Sequence, residues 1–186
     1  MIPFPNKKYR IIYADPPWEF GDGIRSSKMR NNKNLKYQPQ YKMQSTEYIC
    51  SLPVEDISLP NSVLFIWTTD AHLPSALEVI NAWGFQYKTI GFIWNKKTST
   101  GKQVCYYGRW TCKGSEICLL ATKGRIHTFL EDHTVRQLVE AERRAHSQKP
   151  DEVRKRIEKM FGNSGPRIEL FARERFEGWD AWGDEV

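Results

Sequence analysis

The sequence predicts an α/β fold, an open sheet with helices on both faces, and two features carry that reading. Short, largely apolar runs recur along the chain: Tyr9–Ala14, Val63–Trp67, Ile117–Ala121 and Ile168–Phe171. Between them lie segments whose apolar residues fall at helical spacing, so strand and helix alternate within one small domain. The 186 residues suffice for one domain with a core, and no repeat or Pro/Gly/Ser linker divides them, so residues 1–186 read as a single unit.

The elements follow in order. Tyr9–Ala14 (YRIIYA) reads as a strand stopped by Pro16 and Pro17, because proline offers no N–H to a ladder. A polar loop then runs to about Lys42. Val63–Trp67 has the unbroken apolarity of a strand covered on both faces in a parallel sheet. Leu73, Ala76, Leu77 and Ile80 mark a helix, with Asp70 as its expected cap and Gly84 as its stop. Tyr87–Trp94 alternates as a strand, and Ile117–Ala121 is a further buried one. Val135, Leu138 and Val139 suggest a helix with a polar outer face. Pro150-Asp151-Glu152 opens another, with the acids suited to the positive end of the helix dipole and Val153, Ile157 and Phe161 as its core stripe. Ile168–Phe171 is the last strand expected. Ligands of open α/β sheets bind beyond the carboxyl ends of the strands, which is where Asp15-Pro16-Pro17-Trp18 falls.

Composition narrows the function classes. No apolar run reaches the roughly 18 residues of a membrane span, and Met1–Lys8 lacks the apolar core of a secretion signal, which reads as intracellular. Cys50, Cys105, Cys112 and Cys118 form no Cys-x-x-Cys pair and have no histidine at ligand spacing, so no metal is expected, and reduced, mostly buried thiols are. The net charge of +6 is unevenly spread. Residues 19–43 carry six cations against two acids (net +4), and residues 95–114 carry five cations and no acid (net +5). Two basic loops on a mildly acidic body suit a phosphate backbone. Lys28, Arg30 and Lys33 are candidates in the first loop. Tyr107, Arg109 and Trp110, with Tyr106 beside them, interleave aromatic and cationic groups in the second.

Asp15-Pro16-Pro17-Trp18 is the most informative string. An aromatic amine is a poor nucleophile because its lone pair is delocalised into the ring. A carboxylate can accept one N–H and a proline carbonyl the other, freeing the lone pair to point at an incoming methyl group. Asp15 can also stabilise the positive charge that forms on nitrogen, and Trp18 can stack on a base. A rigid turn with a core tryptophan is the bland alternative.

The chain resembles the MT-A70 family of N6-adenine methyltransferases along nearly its whole length. The likeness runs through Tyr13-Ala14-Asp15-Pro16-Pro17-Trp18, Tyr41-Lys42-Met43 and Leu64-Phe65-Ile66-Trp67-Thr68-Thr69. It continues in Glu116–Gly124 and His146-Ser147-Gln148-Lys149-Pro150-Asp151-Glu152. It ends in Ile168-Glu169-Leu170-Phe171-Ala172-Arg173 and Gly178-Trp179-Asp180-Ala181-Trp182-Gly183-Asp184-Glu185. The resemblance implies a Rossmann-like methyltransferase sheet in circularly permuted order, the catalytic strand first and the cofactor strand near the C-terminus. It implies S-adenosyl-L-methionine as cofactor, bound by Asp15, Lys149, Glu169, Arg173, Asp184 and Glu185, with Lys149 on the methionine carboxylate. Asp184 stands where family members usually carry Asn. Tyr41 matches a family tyrosine near the target base.

The expected reaction is therefore methyl transfer to the N6 amine of adenine in nucleic acid, with Asp15, Pro16, Pro17 and Trp18 as the catalytic string. DNA is favoured over RNA because the chain resembles compact prokaryotic and viral members. An RNA enzyme and a catalytically silent nucleic-acid-binding subunit are the alternatives, and a homodimer or a partner subunit is left open. Neutralising Lys28, Arg30 and Lys33 is expected to flatten the salt dependence of binding.

Overall fold

The computed structural model describes residues 3–19, 42–108, 110–144 and 148–186. In chain order the described strands are β1 (Tyr9–Ala14), β2 (Ser58–Thr68), β3 (Gln86–Lys97), β4 (Tyr106–Tyr107), β5 (Cys112–Lys113), β6 (Ser115–Lys123), β7 (Leu138–Glu142), β8 (Arg167–Leu170) and β9 (Asp180–Trp182). The α-helices are α1 (Thr46–Cys50), α2 (Leu73–Ala82) and α3 (Asp151–Phe161). Seven strands form one open mixed sheet in the order β7-β3-β6-β2-β1-β8-β9, and β4 and β5 pair separately. β6 alone runs against the others, antiparallel to both β2 and β3.

The unbroken apolar runs are explained by helices covering both faces. Ile11, Tyr13, Val63, Phe65 and Trp67 pack in one cluster with Val153, Ile157 and Phe161 of α3. Their neighbours Ile12, Ala14, Leu64 and Ile66 pack on the opposite side with Ile49 of α1 and Ala76, Val79 and Ile80 of α2. Successive side chains of a strand point to opposite faces, so a strand roofed on both sides needs an apolar residue at every position. β1 and β2 sit at the middle of the sheet, and their stretches Ile11–Ala14 and Val63–Trp67 meet that requirement.

α2 ends as expected. Gly84 has φ +76°, its N–H donates to the Asn81 carbonyl, and the Phe85 N–H donates to the Ile80 carbonyl. This is the paired closure that favours glycine, and a Cβ there would lie 2.7 Å from a Glu55 carboxylate oxygen. The start of α2 differs from expectation. His72 holds the cap position with no side-chain cap bond, while Asp70 lies in a preceding 3-10 turn and pairs with Lys113 at 2.5 Å. Pro74 in the first turn makes capping there less demanding, since it removes one orphan N–H.

Two further expectations are corrected. Residues 138–142 form a strand, not a helix: Val139 and Ala141 turn inward while Leu138, Glu140 and Glu142 turn out. Val135, Leu138 and Val139 satisfy helical spacing, but two-fold alternation wins because β7 pairs with the exposed edge of β3. Lys97 pairs with Glu140 at 2.7 Å across that ladder, and the Trp94 indole N–H donates to the Ala141 carbonyl at 3.0 Å. β8 is followed by one more strand, β9, whose three residues are too few to show a period. Of the cysteines, Cys118 is buried and Cys50 half-buried, but Cys105 and Cys112 are exposed; all four are free thiols. Among the described residues no helix is long and apolar enough to cross a membrane, and no cluster of ligating side chains could hold a metal.

Candidate active site

β1 delivers Asp15 to the carboxyl edge of the sheet, where Pro16 and Pro17 end the strand. The proline carbonyls are partly engaged: Pro16 accepts from the Trp18 N–H at 2.9 Å and Pro17 from the Gln44 N–H at 2.8 Å. A carbonyl has two lone pairs, so each keeps one acceptor site for a ligand. These bonds fix the direction of both carbonyls.

Asp15 does not stand alone. Lys149, just ahead of α3, places its ammonium 2.7 Å from Asp15 Oδ2 and 3.3 Å from Glu116 Oε2. Glu116 also pairs with Lys96 through its other oxygen. The result is a line of alternating charge, Asp15–Lys149–Glu116–Lys96, with side chains 10–21 % exposed. The Lys149 ammonium also lies 5.5 Å from the centre of the Trp67 ring. Burial lifts the Asp15 carboxyl above its ordinary range; Lys149 and Arg173 oppose the lift, and Glu116 adds to it. Burial acts in the same direction on Glu116, yet the Lys149 and Lys96 ammoniums bring that carboxyl below its usual value. Burial disfavours the Lys149 cation, but Asp15 and Glu116 outweigh that and raise its pKa. Removing one member of such a buried group typically costs about 3–5 kcal/mol, because its partner is left desolvated and unpaired.

A cleft of about 410 Å³ opens beside this line. Asp15, Pro16, Pro17, Lys42, Gln44 and Tyr48 form one wall; Phe171, Ala172, Arg173, Trp182, Gly183, Asp184 and Glu185 form the other. The second wall is made where β8 and β9 end side by side. Phe171 turns the chain at φ +60°, and the Ala172 N–H donates to the Trp182 carbonyl at 3.0 Å. Gly183 is required by this close approach, since a Cβ would meet the Ala172 carbonyl at 2.3 Å. Arg173 and Glu185 approach at 3.5 Å within the cleft. The volume falls in the range of small-molecule sites, and the lining combines apolar side chains with a guanidinium and three carboxylates.

The expected site residues thus divide. Asp15, Pro16, Pro17, Arg173, Asp184 and Glu185 share the cleft. Lys149 stands behind Asp15, next to Glu116. Glu169 points elsewhere: it is held by Arg154, at 2.8 Å from Nη2 and 3.1 Å from Nε, in a pair 10–14 % exposed. Paired with Tyr13 in the β1–β8 register, it braces the α3 face. Trp18 is also placed differently from its expected stacking role. It is only 7 % exposed, its ring stacks on His72 at 6.0 Å, and its indole N–H donates to the Trp67 carbonyl at 3.0 Å. The buried position makes it a brace for the Asp15–Pro17 turn, with His72 held in turn by Thr69 and the Glu19 carbonyl. Burial lowers the His72 pKa.

The second basic loop is a β-hairpin, β4–β5, mounted between β3 and β6 at the same sheet edge. Tyr107 and Trp110 are each 89 % exposed on it. Three of its cations are already paired: Lys96 with Glu116, Lys97 with Glu140, and Lys113 with Asp70. Tyr41, Lys28, Arg30, Lys33 and Arg109 lie outside the described residues.

Residues 9–185 match the MT-A70 family model. The chain belongs to the MT-A70 family. Among its relatives is the type II methyltransferase M.MunI of Mycoplasma sp, 36 % identical over 98 % of this chain and 79 % of that protein. Human METTL3, the N(6)-adenosine-methyltransferase catalytic subunit, is 28 % identical over 89 % of this chain and 26 % of its own length. Human METTL4, an N(6)-adenine-specific methyltransferase, is 26 % identical over 97 % of this chain and 38 % of its own. Glu116 opens one of the stretches that resemble the MT-A70 motifs, yet sequence reading assigns it no role in the site. It opens an apolar strand, and its partners Lys149 and Lys96 are 33 and 20 residues away, so no local pattern marks it. Gln44, Tyr48, Phe171 and Trp182 were likewise unassigned, since a cleft wall built from four separate segments has no period.

Proposed function

We propose that the chain is a site-specific DNA methyltransferase that transfers a methyl group from S-adenosyl-L-methionine to the N6 amine of adenine. The observation that carries this reading is a single one: Asp15 and the two oriented proline carbonyls open on the same cleft as Arg173, Asp184 and Glu185. The strand order supports a Rossmann-like sheet in permuted order, with Asp15 on the first strand and the cofactor wall built by β8 and β9 near the C-terminus.

The donor set suits the cofactor. Asp184 and Glu185 offer carboxylates to a ribose diol, Arg173 offers a guanidinium to a carboxylate, and Trp182 and Phe171 give an apolar wall to an adenine ring. When bound, S-adenosyl-L-methionine supplies an electrophilic methyl carbon on a sulfonium. The protein's own part is alignment. Asp15 accepts one N–H of the adenine amine, and the free lone pair of the Pro16 or Pro17 carbonyl accepts the other, so the nitrogen lone pair faces the cleft. The Asp15 carboxylate then meets the cation that forms on nitrogen, in a site too dry to screen it. Lys149 holds Asp15 ionised before substrate enters, and its ammonium is the cation assigned to the methionine carboxylate of the cofactor. Lys28, Arg30, Lys33, Tyr41, Tyr107, Arg109 and Trp110 are assigned to the nucleic acid.

DNA is preferred as substrate because a relative 36 % identical over 98 % of this chain and 79 % of its own length is a type II methyltransferase. The test incubates the protein with methyl-labelled S-adenosyl-L-methionine and either DNA or RNA, digests the product for nucleoside mass spectrometry, and maps the modified positions. N6-methyladenine in DNA at one short sequence is expected. Label confined to RNA, to cytosine or to protein contradicts the assignment.

A further inference from the structure

We infer that the tip of the β4–β5 hairpin enters duplex DNA, the Trp110 indole filling the space in the base stack left by the extruded adenine. The inference rests on the DNA-methyltransferase reading and deepens it. Asp15 is recessed and pinned, its side chain 21 % exposed. An adenine inside a duplex cannot bring its amine there, so the base must leave the stack at a cost of a few kcal/mol. Something must offset that cost. Trp18 is buried under His72 and cannot contribute from the stack side.

The hairpin is placed to do so. It leaves the sheet at the end of β3 and returns at the start of β6, one residue before Glu116, and Glu116 is one lysine away from Asp15. Its base is fastened by the Lys113–Asp70 pair, by the Lys96 N–H to Gly114 carbonyl bond at 2.9 Å and by the Val104 N–H to Lys96 carbonyl bond at 2.8 Å. Arg143 steadies Tyr106 through a 2.6 Å bond to its hydroxyl. The tip is tight: the Gly108 N–H donates to the Thr111 carbonyl at 3.1 Å, and a Cβ on Gly108 would lie 2.5 Å from that oxygen. At this narrow end Tyr107 and Trp110 are 89 % exposed, while Trp18, Trp67, Trp83, Trp94 and Trp179 are buried and Trp182 is half-buried. A large aromatic left in water at the end of a braced finger is a ligand-facing group by position.

Duplex DNA fits this surface better than a protein partner does. The ladder contains two residue pairs, Tyr106–Lys113 and Tyr107–Cys112. A finger of that width is far smaller than the roughly 800 Å² per partner of a stable protein interface. It does match the gap of one missing base, and the segment 95–114 carries no acid to repel phosphate. Aromatic stacking on a base is worth about 1–3 kcal/mol, of the size needed to offset extrusion.

The experiment compares the parent with Trp110→Ala and Trp110→Phe on one mapped site, presented as duplex and as single strand, with oligomeric state followed by light scattering. Trp110→Ala is expected to lower kcat/KM on the duplex about tenfold or more, a stacking loss of about 1.4 kcal/mol or greater. On the single strand, which needs no extrusion, the variant should lose far less than on the duplex, and Trp110→Phe should recover most of the duplex rate. An equal loss on both substrates, no loss on either, or a parent dimer that becomes a monomer in the variant overturns the inference. A parent that methylates neither form of DNA overturns the functional reading itself, and that result is seen in the parent alone.

Discussion

Two neighbouring corners of the sheet edge invert the usual rule of burial in opposite ways. At Asp15–Lys149–Glu116–Lys96, four charged side chains are packed nearly out of water. At the hairpin tip, a tyrosine and a tryptophan stand almost wholly in it. The sheet core between them follows the rule: Ile11, Ile12, Leu64, Phe65 and Ile80 are buried completely. Stable folds keep local preference and position consistent, and departures gather where function demands them. The first corner holds a reacting group in a fixed ionic state. The second offers a surface whose partner is not part of the chain.

If the buried corner is the reaction centre, its carboxylate dominates all other effects. Asp15→Ala should lower methyl transfer about a thousandfold or more, with the protein still folded, DNA affinity near that of the parent, and a stability loss no larger than that of unpairing Lys149. Label incorporation, circular dichroism and a binding titration check this together, and activity within tenfold of the parent moves the chemistry elsewhere. Next in size is Lys149→Met, which leaves Asp15 and Glu116 facing each other without their shared cation. Denaturant unfolding should show a loss of about 3–5 kcal/mol. The cleft wall comes third: Arg173→Ala or Glu185→Ala should raise KM for S-adenosyl-L-methionine about tenfold with kcat little changed, the signature of lost ground-state binding.

The smallest effect discriminates most finely. Methyl transfer needs Asp15 ionised, and its folded pKa is raised, so the rate falls with decreasing pH at a point above the ordinary carboxylate value near ~3.9. Glu116 contributes to that elevation and competes for Lys149. Glu116→Gln removes the repulsion and leaves Lys149 to Asp15 alone, so the acid limb should move to lower pH. A limb that moves upward, or not at all, contradicts the coupling of Glu116 to Asp15.

The same contrast explains what the sequence made legible. β1, β2, α2 and α3 were readable because burial writes itself as a run or a period, as in Ile11–Ala14 or Val153, Ile157 and Phe161. Asp15-Pro16-Pro17 was readable because two prolines at a strand end are chemically distinctive. β4, β5 and β9 are two or three residues long, below the length at which alternation is detectable. β7 was misread because Val135, Leu138 and Val139 fit a helix locally, and only the open edge of β3 decides otherwise. Trp18 was assigned to the base for its chemistry, yet its place is set by Trp67 and His72, residues about 50 positions away. Long-range ion pairs such as Glu116–Lys149 leave no local trace at all.

The most direct measurement is a crystal structure of the protein with S-adenosyl-L-methionine bound. The account predicts the sulfonium methyl directed at Asp15 and the Pro16–Pro17 carbonyls, with the ribose against Asp184 and Glu185. A cofactor seated outside this cleft, or one whose methyl faces away from Asp15, would contradict it.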